Sequence, residues 1–139
     1  MKVRTVKRYY CDHCKKANLS RFHMAKHEKG CVRNPARICL MHQFAADTDQ
    51  HQPEMADMHS AITAGGLTEL RKIAHDCPAC ILAAITQYPW PPYPDDGRGD
   101  RPHPAWAECR AFEFKKERDE LFAAMQDERE VDYESYFYG

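Results

Sequence analysis

The sequence lacks any apolar run near the roughly 20 residues that a membrane-spanning helix needs. Its first residues, MKVRTVKRYY, also lack the apolar stretch of a secretory signal. We therefore expect a protein that crosses no membrane and stays in the reducing cytoplasm. Its 139 residues suffice for one domain, or for one small module beside a second.

The chain also lacks the even number of cysteines that a complete set of disulfides requires. Seven cysteines are present, and four of them form two C-x2-C pairs, Cys11/Cys14 and Cys77/Cys80. Such pairs are typical of zinc sites, whereas disulfide frameworks belong to secreted domains. Metal ligation is therefore the favoured interpretation.

The stretch YYCDHCKKANLSRFHMAKHEKGC has the spacing C-x2-C-x12-H-x3-C. Cys11 and Cys14 fall on a tight turn, while His27 and Cys31 lie one helical turn apart. Residues at i and i+4 share one face of a helix, so all four side chains can converge on a tetrahedral zinc ion. We expect a structural zinc site here.

This stretch resembles the C2H2 zinc-finger family, with cysteine in place of the last histidine. Tyr9 matches the family's aromatic residue before the first cysteine, and Met24 matches its apolar residue before the first helical ligand. The family's second aromatic residue has no counterpart, so we expect Leu19 and Phe22 to supply the small core. The resemblance implies a ββα zinc finger over residues 9–31.

The helix of this finger is expected over about residues 21–29. The side chains of Asn18 and Ser20 can cap its start, and Gly30 suits the position after its end. His23 lies on the same helix face as His27 and stays open as an alternative ligand. Its use would leave only eight residues between Cys14 and the first helical ligand, a short connection for a ββα finger.

A second set of four ligands is spread over a longer stretch. Cys39 and His42 form a C-x2-H half site, and Cys77 and Cys80 form a C-x2-C pair further along. Together they offer a closed set of four zinc ligands, so we expect two structural zinc ions per chain. Two alternatives stay open: buried cysteines that pack as small apolar residues, or a redox pair at Cys77 and Cys80.

Hydrophobic periodicity predicts that residues 38–88 form a helical, zinc-binding body. We expect three helices in it, over about residues 53–64, 67–76 and 78–88. Gly65 suits the end of the first helix, and Cys77 suits the N-cap of the third.

The rest of the chain divides into a Pro-rich loop, residues 89–104, and a long helix over about 105–130 with an acidic, aromatic tail to 139. The tail either folds on a partner or over a basic face, or packs on its own core. We thus expect a mostly α protein with a small ββα zinc finger, a helical body that holds a second zinc ion, and a long C-terminal helix.

The net charge of −1 conceals two halves of opposite sign. Residues 1–37, the basic arm and finger, hold eleven Lys and Arg against two acids; residues 38–139 hold nine against nineteen. A strongly basic segment is typical of nucleic-acid-binding proteins.

The resemblance to DNA-reading fingers implies that Ser20, Phe22, His23 and Lys26 face base edges. Arg and Asn, which read guanine and adenine, are absent from these positions. The cations expected to contact phosphates are Lys2, Arg4, Lys7, Arg8, Lys15, Lys16, Arg21, Lys29, Arg33 and Arg37. We therefore expect a regulatory or accessory protein that binds nucleic acid, with DNA favoured, mainly through the phosphate backbone.

An adaptor that binds a protein partner through the acidic helical body and tail is the alternative function. Enzyme activity is not expected. The zinc-deaminase pattern H-x-E is here H-x-x-E, at His51 and Glu54. The zinc-nuclease arrangement that His59 suggests lacks a polar ligand at Ile81.

Overall fold

The computed structural model describes residues 1–45, 52–94, 99 and 101–138, with only the backbone described for 43–45 and 127–138. The protein is mostly helical with one two-stranded sheet. Its elements are β1 (Tyr9–Tyr10), β2 (Ala17–Asn18), α1 (Arg21–Gly30), α2 (Leu40–Ala45), α3 (Met55–Ile73), α4 (Pro78–Gln87), α5 (Trp106–Arg110) and α6 (Phe114–Tyr138). None of the helices in the described ranges is long and apolar enough to cross a bilayer. His51 and the side chains of the acidic tail lie outside the described residues.

A hairpin and a helix form the N-terminal unit, residues 9–31. Strands β1 and β2 pair antiparallel, with Tyr9 opposite Asn18. Ser20 caps α1, because its Oγ accepts a hydrogen bond from the His23 N–H at 3.3 Å. The helix extends over the expected range and includes Gly30, so that Cys31 takes the C-cap position.

The core of this unit differs from the expected one. Met24 is buried and packs with the cysteines and with Tyr9, whereas Leu19 and Phe22 are 63% and 73% exposed. The prediction that Leu19 and Phe22 form the core is therefore wrong. At about 100° per residue, Phe22 lies about 200° around the helix from Met24, so the two side chains cannot both face inward.

The helical body packs α4 against α2, α3 and α6. Its largest fully buried side chains include Met58, Ile62, Leu70 and Ile81. The break expected between the first two helices is present as a kink within α3, at Gly65 and Gly66.

The single long helix expected from residue 105 is wrong, because the chain forms α5 and α6 with a break between them. Phe112 and Phe114, at this break, both pack against the core that contains Cys109. In a continuous helix these two rings would point about 200° apart, so interrupting the helix lets both reach the core. The α6 backbone then continues to Tyr138, beyond the expected end near 130.

Aromatic rings attach the Pro-rich loop to the body. The Trp90 indole donates a hydrogen bond to the Ile85 carbonyl at 2.9 Å, and its ring lies 5.1 Å from that of Trp106. The Arg101 guanidinium lies over the rings of Tyr93 and Trp106, at 4.4 and 4.8 Å from their centroids.

Candidate metal centres

The first centre consists of Cys11, Cys14, His27 and Cys31. One ligand atom from each residue lies within 4.8 Å of all the others. The hairpin turn presents the first two cysteines, and α1 presents His27 one turn before Cys31 at its C-cap. The structure therefore brings together the four residues that the spacing singled out.

His23, the alternative ligand, lies outside this group. Its side chain is exposed, and its ring meets the Phe22 ring edge-on at 5.6 Å. His27 instead places Nε2 at 3.2 Å from Cys14 Sγ. The geometry thus selects His27 from the two histidines that the spacing left open.

The surroundings of the first centre favour a thiolate at Cys14. A hydrogen bond from the Lys16 backbone, followed by one from His27, lowers the pKa of Cys14 to about 6. Burial has the opposite effect on Cys31 and raises its pKa. Because metals bind the deprotonated thiol, Cys14 offers a ligand with little proton competition at neutral pH.

The second centre gathers its residues from two distant parts of the chain. Cys39 precedes α2, Cys77 caps α4, and Cys80 lies in the first turn of α4. Their three sulfur atoms lie within 4.8 Å of one another, and the sulfurs of Cys39 and Cys77 are 3.7 Å apart. All three side chains are buried, which fits the closed interior expected of a structural site.

His42, the fourth expected ligand, lies at the edge of this thiol group. It is 1% exposed, and its Nδ1 is 3.6 Å from Cys80 Sγ. Its own backbone N–H also donates to Cys39 Sγ at 3.2 Å. The group of mutually close ligand atoms contains the three thiols without His42, so the imidazole lies beside the centre rather than fully within it.

An unusual turn brings Cys77 into the second centre. His75 and Asp76, which precede it, both have positive φ, at 52° and 55°. The Asp76 N–H donates to the Arg71 carbonyl at 3.0 Å, and the Cys77 N–H donates to the Ala74 carbonyl at the same distance. Two consecutive non-glycine residues in the left-handed region are uncommon, and here they end α3 and begin α4 at Pro78.

The three thiols of the second centre share their protons unequally. Hydrogen bonds from Cys77 and Cys80, together with the charge of Arg37, lower the pKa of Cys39 far below its ordinary value. The hydrogen bond to Cys39 raises the pKa of Cys77 to about 11, and the pKa of Cys80 is raised as well. A bound cation would replace the remaining protons and allow all three sulfurs to be thiolates.

Arg37 does not have the position expected of a phosphate contact. It is 6% exposed, and its Nη1 lies 3.8 Å from Cys80 Sγ. A guanidinium buried beside thiols offsets negative charge there and cannot reach a phosphate in solvent. Sequence reasoning missed this role; its one signal was the position of Arg37 two residues before Cys39.

The other expected nucleic-acid residues belong to the N-terminal third of the chain that also holds the first centre. Ser20 is half-buried and already caps α1. The other residues predicted to contact nucleic acid are exposed: Arg4, Lys7, Arg8, Lys15, Lys16, Arg21, His23, Lys26 and Arg33.

His59, considered above as part of a nuclease site, belongs to neither cluster of ligand atoms in the described residues. Its Nε2 lies 3.2 Å from the Ala84 carbonyl, and its ring packs edge-on against Tyr88. Burial lowers its pKa, which favours a neutral imidazole that packs between α3 and α4.

No protein-family model matches the chain, no curated protein matches it, and no solved structure matches it. The two candidate metal centres and the basic surface around the first are therefore the features from which a function can be inferred.

Proposed function

We propose that the protein binds two structural zinc ions and binds nucleic acid through its basic N-terminal third. In this proposal residues 9–31 are a C2HC zinc finger of the ββα type. The hairpin, the helix and the four clustered ligands support it, since a site with four protein ligands holds a fold together and leaves no position for an activated water. The proposal therefore includes no enzyme activity.

The second zinc ion is proposed at Cys39, His42, Cys77 and Cys80. Three buried thiols with a buried imidazole beside them form a donor set that suits zinc. His42, whose Nδ1 lies 3.6 Å from Cys80 Sγ, is the proposed fourth ligand. Seven free thiols also fit the reducing cytoplasm that we propose as the compartment.

The observation that carries nucleic-acid binding is the charge of the surface around the first centre. All ten Lys and Arg side chains of residues 1–36 are exposed. The two acids of this segment offset little of that charge, and one of them, Glu28, is half-buried and accepts a hydrogen bond from the Asp12 N–H. A surface of one sign attracts phosphates strongly.

We propose a regulatory or accessory role in which most of the affinity comes from phosphate contacts. Among the positions expected to read bases, Ser20 has its hydroxyl engaged in the helix cap. None of the others offers the bidentate pairing with guanine or adenine that gives strong sequence preference. Sequence preference is therefore expected to be modest.

The test compares two lysine pairs in the intact, zinc-loaded protein. Lys15→Glu/Lys16→Glu reverses two charges in the basic hairpin, and Lys115→Glu/Lys116→Glu reverses an equally exposed pair on α6. Measured by fluorescence anisotropy with labelled DNA, the first variant should lose at least about tenfold in affinity and the second little. Equal losses in both variants would contradict the proposal.

Salt provides the second measurement for the same proposal. If about five cations contact phosphates, the logarithm of the association constant should fall with the logarithm of salt concentration at a slope near −4 to −5. The hairpin variant should have a shallower slope, because fewer counterions are released. A flat response in the wild type would leave the charge argument without support.

An apolar groove favours the adaptor as a second candidate. It has a volume of about 360 Å³ and lies between α1 and the start of α2. Ile38 and Leu40 line it and are 53% and 57% exposed, while Lys26 and Lys29 stand at its rim. Such a groove suits a peptide that inserts an apolar side chain and carries acidic residues beside it.

Leu40→Glu distinguishes the two functions. It places a negative charge in the groove, so it should abolish binding of an acidic peptide partner and leave DNA binding within about twofold. The hairpin variant Lys15→Glu/Lys16→Glu should have the opposite effects. A purified partner that is insensitive to Leu40→Glu would exclude the groove as its site.

A further inference from the structure

Three large apolar side chains are exposed on the basic N-terminal unit. Phe22 is 73% exposed, Leu19 is 63% exposed, and Tyr10 is 58% exposed. Tyr10 lies in β1 and Leu19 directly follows β2, so both belong to the hairpin region. None of the three contributes to the small core around Met24.

Two basic residues lie close to Phe22 along α1. Arg21 directly precedes it, and Lys26 lies four residues later on the same helix face. Both basic side chains are exposed. An apolar ring held among cations, outside the core, is the arrangement by which proteins stack a base while pairing the neighbouring phosphates with charge.

The chemistry of Phe22 decides between double- and single-stranded ligands. In a duplex the bases are stacked, and a protein in the groove meets their edges, which are read by hydrogen bonds. A phenyl ring has no donor or acceptor for those edges. An unpaired base exposes its π-face, on which a phenyl ring can stack whatever the base.

We propose that single-stranded nucleic acid is the ligand class of the N-terminal unit, with Phe22 stacked on an unpaired base between cation-bound phosphates. This inference rests on the proposed nucleic-acid function and narrows it. Charge complementarity selects the occupant, because an apolar protein surface would bury Arg21 and Lys26 without partners. Stacking on a ring accepts any base, which agrees with the lack of base-reading side chains on α1.

The experiment uses the full zinc-loaded chain and labelled oligonucleotides about 12 nucleotides long, single-stranded and as the matching duplex. The wild type should bind the single strand more tightly. Phe22→Ala should weaken single-strand binding roughly 5- to 150-fold, the loss typical of one stacking ring, and change duplex binding little. Phe22→Trp should retain the affinity, because it keeps a stacking face.

Phe122→Ala provides the matched control. Phe122 is 48% exposed on α6, in the acidic part of the chain, and its removal should leave both affinities unchanged. Zinc content and circular dichroism should be the same in all variants, since neither phenylalanine is buried. The salt slope of Phe22→Ala should equal that of the wild type, because no phosphate contact is removed.

Tryptophan fluorescence adds a direct readout of stacking. In Phe22→Trp, emission from residue 22 should be quenched when the single strand binds, beyond any change in wild-type emission from Trp90 and Trp106. Quenching by the duplex should be smaller, because its bases are already stacked on one another.

The outcomes separate this inference from the function on which it rests. Suppose that the wild type binds both strand forms with equal affinity, that Lys15→Glu/Lys16→Glu loses this affinity and that Phe22→Ala keeps it. This result would overturn the single-strand proposal and leave the nucleic-acid function standing. Tighter binding of the duplex would also overturn it. Failure to bind either form at low salt would overturn both.

Discussion

The Arg37 guanidinium and the Cys80 thiol lie 3.8 Å apart in the protein interior, although 43 residues separate them along the chain. Three thiolates around one zinc ion, with a neutral imidazole, carry one negative charge in excess. A buried charge of this kind is costly unless a partner offsets it. Arg37 supplies that partner beside the second centre.

Arg37→Met should therefore destabilise the protein by about 3–5 kcal/mol and weaken zinc binding at the second centre, because the excess charge loses its partner. Arg33→Met is the matched control: Arg33 is exposed, and its replacement should change stability by no more than about 0.5 kcal/mol. Urea unfolding and the zinc-to-protein ratio provide the measurements. Equal unfolding curves for the two variants would contradict a counter-ion role.

The sequence singled out residues that the structure brings together because the Cys11/Cys14, His27/Cys31 and Cys77/Cys80 pairs are local patterns. A C-x2-C turn and an i, i+4 pair fix the relative positions of their side chains whatever surrounds them. Cys39, 38 residues before Cys77, joins the second centre only through the packing of the fold. The burial of Arg37 also depends on how the connector packs against α4. The one local feature that distinguishes Arg37 from the exposed Arg33 is its position two residues before Cys39. That position does not reveal burial, so the sequence predicts both as phosphate contacts.

The number of bound zinc ions should fall when single cysteines of the two centres are replaced. Native mass spectrometry should find two zinc ions in the wild type and one in each of Cys11→Ala and Cys77→Ala, because each variant loses a ligand of a different centre. Cys109→Ala is the control, since Cys109 is equally buried but lies outside both clusters, and it should keep two. A single zinc ion in the wild type, lost only with Cys11, would refute the second site.

Chelation should unfold the N-terminal unit. Beyond its ligands, the core of this unit consists of Met24 and the partly buried Tyr9, which is too small to hold a hairpin and a helix together. Structural zinc contributes about 10–16 kcal/mol in finger peptides, more than such a core can replace. Circular dichroism should show a loss of helix on zinc removal that returns when zinc is added; an unchanged spectrum after complete removal would contradict this.

The kink in α3 shows which part of a helix break can be predicted from a glycine in the sequence. Gly65 predicted a helix end near residue 65, and the chain does leave helical geometry there. Gly66, not Gly65, takes the positive φ, at 66°. Next to Gly66, Glu108 Oε1 accepts a hydrogen bond from the Leu67 N–H at 2.7 Å. Residue 108 is too distant in sequence for this contact to be predicted.

Gly66→Ala should consequently destabilise the protein by about 2 kcal/mol or more. A methyl group would occupy a backbone region that is almost exclusive to glycine, and it would overlap the Glu108 carboxylate. Gly30→Ala is the control, because an added methyl at residue 30 meets only the Ile38 carbonyl, at an ordinary contact distance of 3.7 Å. That change should be neutral or stabilising in thermal unfolding; an equal loss in both variants would refute the argument.

Helix α6 is attached to α3 by an ion pair between Arg71 and Glu117. The guanidinium donates two hydrogen bonds to the Glu117 carboxylate, at 2.7 and 3.3 Å. Because the side chains are 31% and 28% exposed, solvent screening limits the contribution to about 1 kcal/mol. Glu117→Gln should lose that amount at neutral pH, whereas Glu69→Gln, in the more exposed pair with Lys72, should lose less than about 0.5 kcal/mol.

The contribution of Glu117 should also depend on pH. The hydrogen bonds and charge of Arg71 lower the pKa of Glu117 below its ordinary value of 4.5. A lowered folded-state pKa means that the stabilisation is complete above 4.5 and disappears as the pH falls through the lower, folded value. Acid also protonates the zinc ligands, so the readout is the difference in unfolding free energy between wild type and Glu117→Gln at each pH. That difference should vanish in acid, because a protonated Glu117 is as uncharged as glutamine; a difference that stays constant would show that Glu117→Gln acts through packing instead of charge.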